Sequence, residues 1–175
     1  DPLEDRAVVV VEAAHQAVVD TVRQAGILED EGYAVRTAAD SDQALAAIRA
    51  RKPALLVLDI WMQGGGMDGL ELLDMVKGLD ADLPVIMISG HGNIETAVSA
   101  IKRGAYEFLE KPFKSDRLLM IVERALEAAG LRRENRRLLN LYAECKRTGQ
   151  WPGYAPQISL INLPRWARIT EEATA

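Results

Sequence analysis

The chain has 175 residues, 49% of them apolar and 27% charged, and a formal net charge of −5. These values suit a globular domain with a core of its own and argue against broad nucleic-acid binding. The single cysteine, Cys145, excludes a disulfide framework or multi-cysteine zinc site, and two histidines, His15 and His91, are too few for a histidine-rich metal centre.

Short apolar runs then alternate with amphipathic stretches. The β-branched run at 8–11 suits a strand. Val18, Val22, Ala25 and Leu28 form a helical stripe over 17–30, with Gly32 as a stop. A second strand is expected over 33–38. A helix follows over 41–51, with Ala44, Leu45 and Ile48 inward and Pro53 closing it. The run at 55–58 is apolar on both faces, the mark of a strand buried in a parallel sheet. Asp68 can cap a helix over 69–77. The run at 85–88, behind Pro84, is another doubly buried strand. Asn93 can cap a helix over 94–102 that Gly104 ends. A fifth strand is expected over 106–109, and Ser115 is expected to cap a last helix from about 116.

Five strands, each followed by a helix with short links, imply parallel strands joined by right-handed crossovers. The expected fold is α/β: a flavodoxin-like (βα)5 doubly wound sheet over 7–126, with a helical extension over 127–147 and an irregular tail containing aromatic residues over 148–175. In such sheets the working crevice lies at the carboxyl ends of the strands. There the sequence places Asp59 after strand three, Ser89 after strand four and Lys111 after strand five. A carboxylate can attack phosphorus to form an acyl phosphate, while an ammonium and a hydroxyl stabilise the charge that spreads over the transferring group. Other motifs read as ordinary structure. The glycines at 64–66 lack the Gly-Lys-Ser/Thr ending of a phosphate loop, Asp80-Ala81-Asp82 reads as a turn, and Cys145 reads as a small buried residue.

Asp59-Ile60-Trp61-Met62, the 85–92 segment ending Ser89-Gly90-His91-Gly92, and Glu110-Lys111-Pro112-Phe113 resemble the receiver domain of two-component response regulators. The 61–69 loop and the 89–97 segment are most similar to the NtrX branch of the NtrC-type regulators, and the likeness runs from about 26 to 135. The resemblance implies Asp59 as phosphoacceptor, Ser89 and Lys111 as phosphoryl-stabilising residues and Phe108 as switch aromatic. It also implies a magnesium ion held by Asp59, the backbone carbonyl of Trp61 and an acid at the end of strand one. Receivers carry two adjacent acids there. An ungapped count from Asp59 falls on His15-Gln16; anchoring on 8–11 falls on Glu12-Ala13. Neither has two carboxylates, so magnesium binding is expected to be weak, with Glu12 the one candidate ligand.

Segments at 141–145, 149–154 and 163–167 are similar to the C-terminal tail of some phage-type PD-(D/E)xK exonucleases, but without a nuclease core they carry no catalytic residue. The expected function is a non-enzymatic receiver that takes phosphoryl from a sensor histidine kinase and signals through protein contacts, the chain being too short for an ATPase or DNA-binding output domain. The alternative is a phosphorylation-impaired receiver or fusion that serves as a dimerisation module. A seam with Ala128, Asn135 and Tyr142 at a and Leu131, Leu138 and Cys145 at d spans about two and a half heptads and favours a parallel homodimer. Neither direct nucleic-acid contact nor a membrane span is expected. Apolar runs of about five residues and an acidic start point to a cytoplasmic protein.

Overall fold

The computed structural model describes residues 7–11, 18–62, 66–90 and 93–150, with side chains in the first helix from Arg23 onward. The elements are β1 (Ala7–Val11), α1 (Val18–Asp30), β2 (Ala34–Ala38), α2 (Ser41–Ala50), β3 (Leu55–Asp59), α3 (Gly69–Leu79), β4 (Val85–Ser89), α4 (Ile94–Lys102), β5 (Glu107–Glu110) and α5 (Ser115–Thr148). The five strands form one parallel sheet in the order β2-β1-β3-β4-β5, the flavodoxin-like arrangement expected from the sequence. Among the described residues no helix is long and apolar enough to cross a membrane.

Every residue of β1, β3 and β4 is buried, as central strands covered on both faces require. Alternation along each strand divides the core in two. On one face Val9, Leu56, Leu58 and Met87 meet Leu72, Leu73 and Val76 of α3. On the other, Val8, Leu55, Ile86 and Ile88 meet Leu28 of α1 and Leu118 and Val122 of α5. Each such side chain contributes about 1.5–3 kcal/mol of transfer free energy.

Helix starts follow from local chemistry. Asp68 and Glu71 form a reciprocal capping box at α3, and Asn93 caps α4 by accepting from the N–H of Thr96 at 2.8 Å. The last helix departs from expectation. Ser115 is its first residue rather than its cap, and the Lys114 carbonyl accepts the N–H groups of Arg117 and Leu118. Asp80 and Asp82 make the expected turn, the Asp80 Oδ1 accepting from the Asp82 N–H at 3.2 Å.

The chain divides into two compact units, Asp1–Arg133 and Glu134–Ala175, so the boundary falls inside α5. Within the second unit Leu138 and Leu141 are exposed, whereas Cys145 is only 3% exposed. Cys145 is therefore the small buried residue expected of it, and its side chain is covered within the single chain rather than open on the helical seam.

Arg36, on the edge strand β2, clamps the end of α2. Its guanidinium donates to the carbonyls of Ala47 at 2.8 Å and Arg51 at 2.7 Å. The Ala47 carbonyl also accepts the Arg51 N–H, so the guanidinium adds a second bond there and reaches the carbonyl of the C-cap Arg51, where the helical ladder ends. Burial, and secondarily the charge of Arg51, holds the Arg36 pKa below its ordinary value, so part of the gain is spent on desolvation. Arg36→Ala is predicted to lower stability by about 1–3 kcal/mol in urea unfolding; an unchanged midpoint would show that solvent satisfies the end of α2 equally well.

Candidate functional site

Three strand ends converge on one rim. The ladder sets Asp59 of β3 beside Ile88 of β4, and Ser89 beside Glu110 of β5. The Lys111 N–H donates to the Ser89 carbonyl at 2.8 Å, which extends the ladder by one residue and fixes the lysine at the same edge. Its Nζ then lies 3.2 Å from Asp59 Oδ2, with the two side chains only 18% and 11% exposed. The other carboxylate oxygen, Oδ1, accepts the Trp61 N–H at 3.0 Å. Both oxygens of Asp59 thus accept from donors that the fold holds in place.

Ser89 is fully buried at the end of β4. Phe108 is half-buried and packs on the face of the sheet that carries α2, α3 and α4. The peptide bond between Lys111 and Pro112 is cis. Trp61 turns its indole outward, 60% exposed, although its backbone holds the carboxylate.

Gly69 is the structural residue that the motif reading did not single out. A Cβ there would lie 2.3 Å from the Asp59 carbonyl oxygen and 2.6 Å from Ile60 Cα. The Gly69 N–H donates to the Ile60 carbonyl at 3.0 Å, so the start of α3 is strapped directly under the acceptor strand. Its signal in the sequence was the glycine placed directly after a capping aspartate, where a close backbone approach needs no side chain.

Among the described residues there is no cluster of three or more histidines, cysteines, aspartates or glutamates able to hold a metal. Among the described residues the carboxylate in contact with Lys111 is Asp59. The last paired residue of β1, Val11, lies against Leu58, one before the acceptor. Glu12, Ala13, His15, Gln16 and His91 themselves lie outside the described residues.

A family model of the response regulator receiver domain matches residues 8–123. The match begins well upstream of 26, where the likeness of the motifs starts. The nitrogen assimilation regulatory protein NtrX of Azorhizobium caulinodans is 67% identical over 117 residues, covering 67% of this chain and 26% of that protein. The chain spans about a quarter of the length of the curated relatives it matches. The crystal structure of the receiver domain of NtrX from Brucella abortus is 60% identical with a TM-score of 0.64, over 69% of this chain and 98% of that one. A solution structure of the beryllofluoride-activated NtrC4 receiver domain dimer is 41% identical with a TM-score of 0.65, over 71% of this chain and 98% of that one. These comparisons lend no support to the exonuclease-like tail, much of which lies outside the described residues.

Gly69→Ala forces the new methyl into backbone that cannot swing aside. It is predicted to cost about 2–4 kcal/mol and to displace the Asp59 carboxylate from Lys111. Denaturant unfolding and the amide shifts of Trp61 and Lys111 measure both effects; a variant with wild-type stability and shifts would mean that the loop ahead of α3 yields freely.

Proposed function

We propose that this chain, which belongs to the response regulator receiver domain family, accepts a phosphoryl group on Asp59 from the phosphohistidine of a sensor histidine kinase. The observation that carries the reading is the buried Asp59 carboxylate held 3.2 Å from the Lys111 ammonium at a rim shared with Ser89. An Asp59 oxygen attacks phosphorus as the bond to the histidine nitrogen breaks, giving an acyl phosphate and neutral imidazole after that nitrogen takes a proton. The Lys111 ammonium and the Ser89 hydroxyl stabilise the oxygens of the transferring group. Phe108 would couple the filled site to the surface of the sheet.

Receivers of this family bind magnesium at the phosphorylation site. In this chain Asp59, the Trp61 backbone carbonyl and Glu12 would hold it, and the ion would neutralise charge on the phosphoryl group. Ala13 stands where a second acid is expected, which favours weak magnesium binding. The distal part of α5, with Leu131 68% exposed and Leu138 39% exposed, supports a parallel homodimer. Light scattering at tens of micromolar should return a dimer mass; a monomer would reject that assembly. A cytoplasmic location agrees with this role.

The test of the site is labelling by acetyl phosphate or binding of beryllium fluoride across a magnesium titration. Wild type is expected to respond only at high magnesium, and Asp59→Asn not at all; equal labelling of both proteins would remove the assignment. Ala13→Asp is expected to lower the magnesium requirement by about tenfold, since each carboxylate adds both charge and a ligand. A wild-type requirement already in the micromolar range would show that one acid suffices.

A further inference from the structure

Where β4 and β5 begin, at the edge of the sheet opposite Asp59, there is a cavity of about 350 Å³. Lys77 of α3 and Arg132 of α5 face it, together with Asp82 and Tyr106. The Lys77 ammonium donates to the carbonyl of Leu83 at 2.6 Å and to that of Ala81 at 3.3 Å. One of its three N–H groups is left over. Arg132 is exposed and makes no hydrogen bond or ion pair among the described residues.

The acids nearby offset this pair through space. Asp80 is committed to Lys52 at 2.7 Å. Asp82 lines the cavity but has an interaction of its own. Burial, and next the charge of Arg132, holds Lys77 below its ordinary range, against the opposing pull of Asp80 and Asp82. Two cations therefore converge on one polar cavity, and a bound anion would relieve the repulsion between them.

We propose that this cavity is a binding site for a small oxyanion, either phosphate or a ligand presenting a phosphate or carboxylate group. Arg132 offers the planar fork that such a group accepts in bidentate fashion, and Lys77 adds its remaining N–H. Arg132 comes from α5 and Lys77 from α3, so an occupant ties the last helix to the α3–β4 loop. The site is remote from the acceptor and independent of whether Asp59 is phosphorylated.

The experiment is an NMR titration of the uniformly 15N-labelled full chain with inorganic phosphate and, separately, with acetate, at ionic strength held constant with chloride. Saturable shifts are expected at the amides of Lys77, Gly104 and Tyr106. Saturation by phosphate alone assigns a phosphate site, and saturation by both assigns a general oxyanion site. Arg132→Gln, at an exposed position, should weaken binding at least tenfold. Lys77→Met should also weaken it, but Lys77 holds the Leu83 carbonyl, so Arg132→Gln carries the decision. Linear shifts, shifts reproduced by chloride, or shifts unchanged in Arg132→Gln would overturn the proposal.

Discussion

The 3.2 Å contact between Lys111 Nζ and Asp59 Oδ2 is the constraint around which the first unit is arranged. Neither charge is well exposed to water, and breaking such a pair leaves the survivor uncompensated at a cost of several kcal/mol. The two residues end β3 and begin the turn after β5, with β4 standing between them. Their meeting requires both strand registers to be right at once. The backbone bond from Lys111 to Ser89 and the ladder between Asp59 and Ile88 hold those registers. Gly69 completes the arrangement from below, since only a residue without a Cβ lets α3 start so close to the Asp59 carbonyl.

The apolar pattern could not set these registers by itself. In a sheet with one wet face, a slip of one residue drives polar side chains into the core and is forbidden for that reason. Here β1, β3 and β4 are buried throughout and apolar almost throughout, so a slip exchanges one aliphatic side chain for another. The discriminating residues are the polar ones at the carboxyl ends, Asp59 and Ser89. Both are buried at the rim, and Asp59 meets Lys111 in the observed pairing. Function and register specification thus fall on the same few side chains.

This explains what the sequence made legible. The doubly apolar runs, the capping residues Asp68 and Asn93, and the alternation of strand and helix each leave a local signature, and right-handed crossovers narrow the sheet orders to a few, of which the flavodoxin-like one is observed. The acid, hydroxyl and amine at three strand ends could be read because a parallel sheet brings all such ends to one edge. Less legible were features that depend on distance across the fold. Nothing local marks Arg36 as the residue that closes α2, or Lys77 and Arg132 as neighbours. Ser115 looked like a cap because its type favours that role, yet the carbonyl of Lys114 already occupies it. Cys145 fits a heptad by spacing, but its burial within one chain withdraws it from any seam with a second copy. Spacing fixes the face of a helix, and only packing decides whether that face is free.

The acid count at the end of β1 has consequences in two directions on the proposed reading. A second carboxylate would draw magnesium more strongly, through both charge and an added ligand. It would also repel the phosphoryl group once it is attached to Asp59. With Glu12 followed by Ala13, the chain gives up attraction for the metal and repulsion of the phosphoryl group together. Lys111 stays at the acceptor in either case, and its ammonium opposes the phosphoryl charge without any metal. The two effects differ in reach. Direct coordination acts at bond distance and is lost outright when the ligand is absent, whereas repulsion of the phosphoryl group is softened by intervening water and by Lys111. The missing acid therefore weighs more on metal affinity than on the stability of a phosphorylated state once that state has formed.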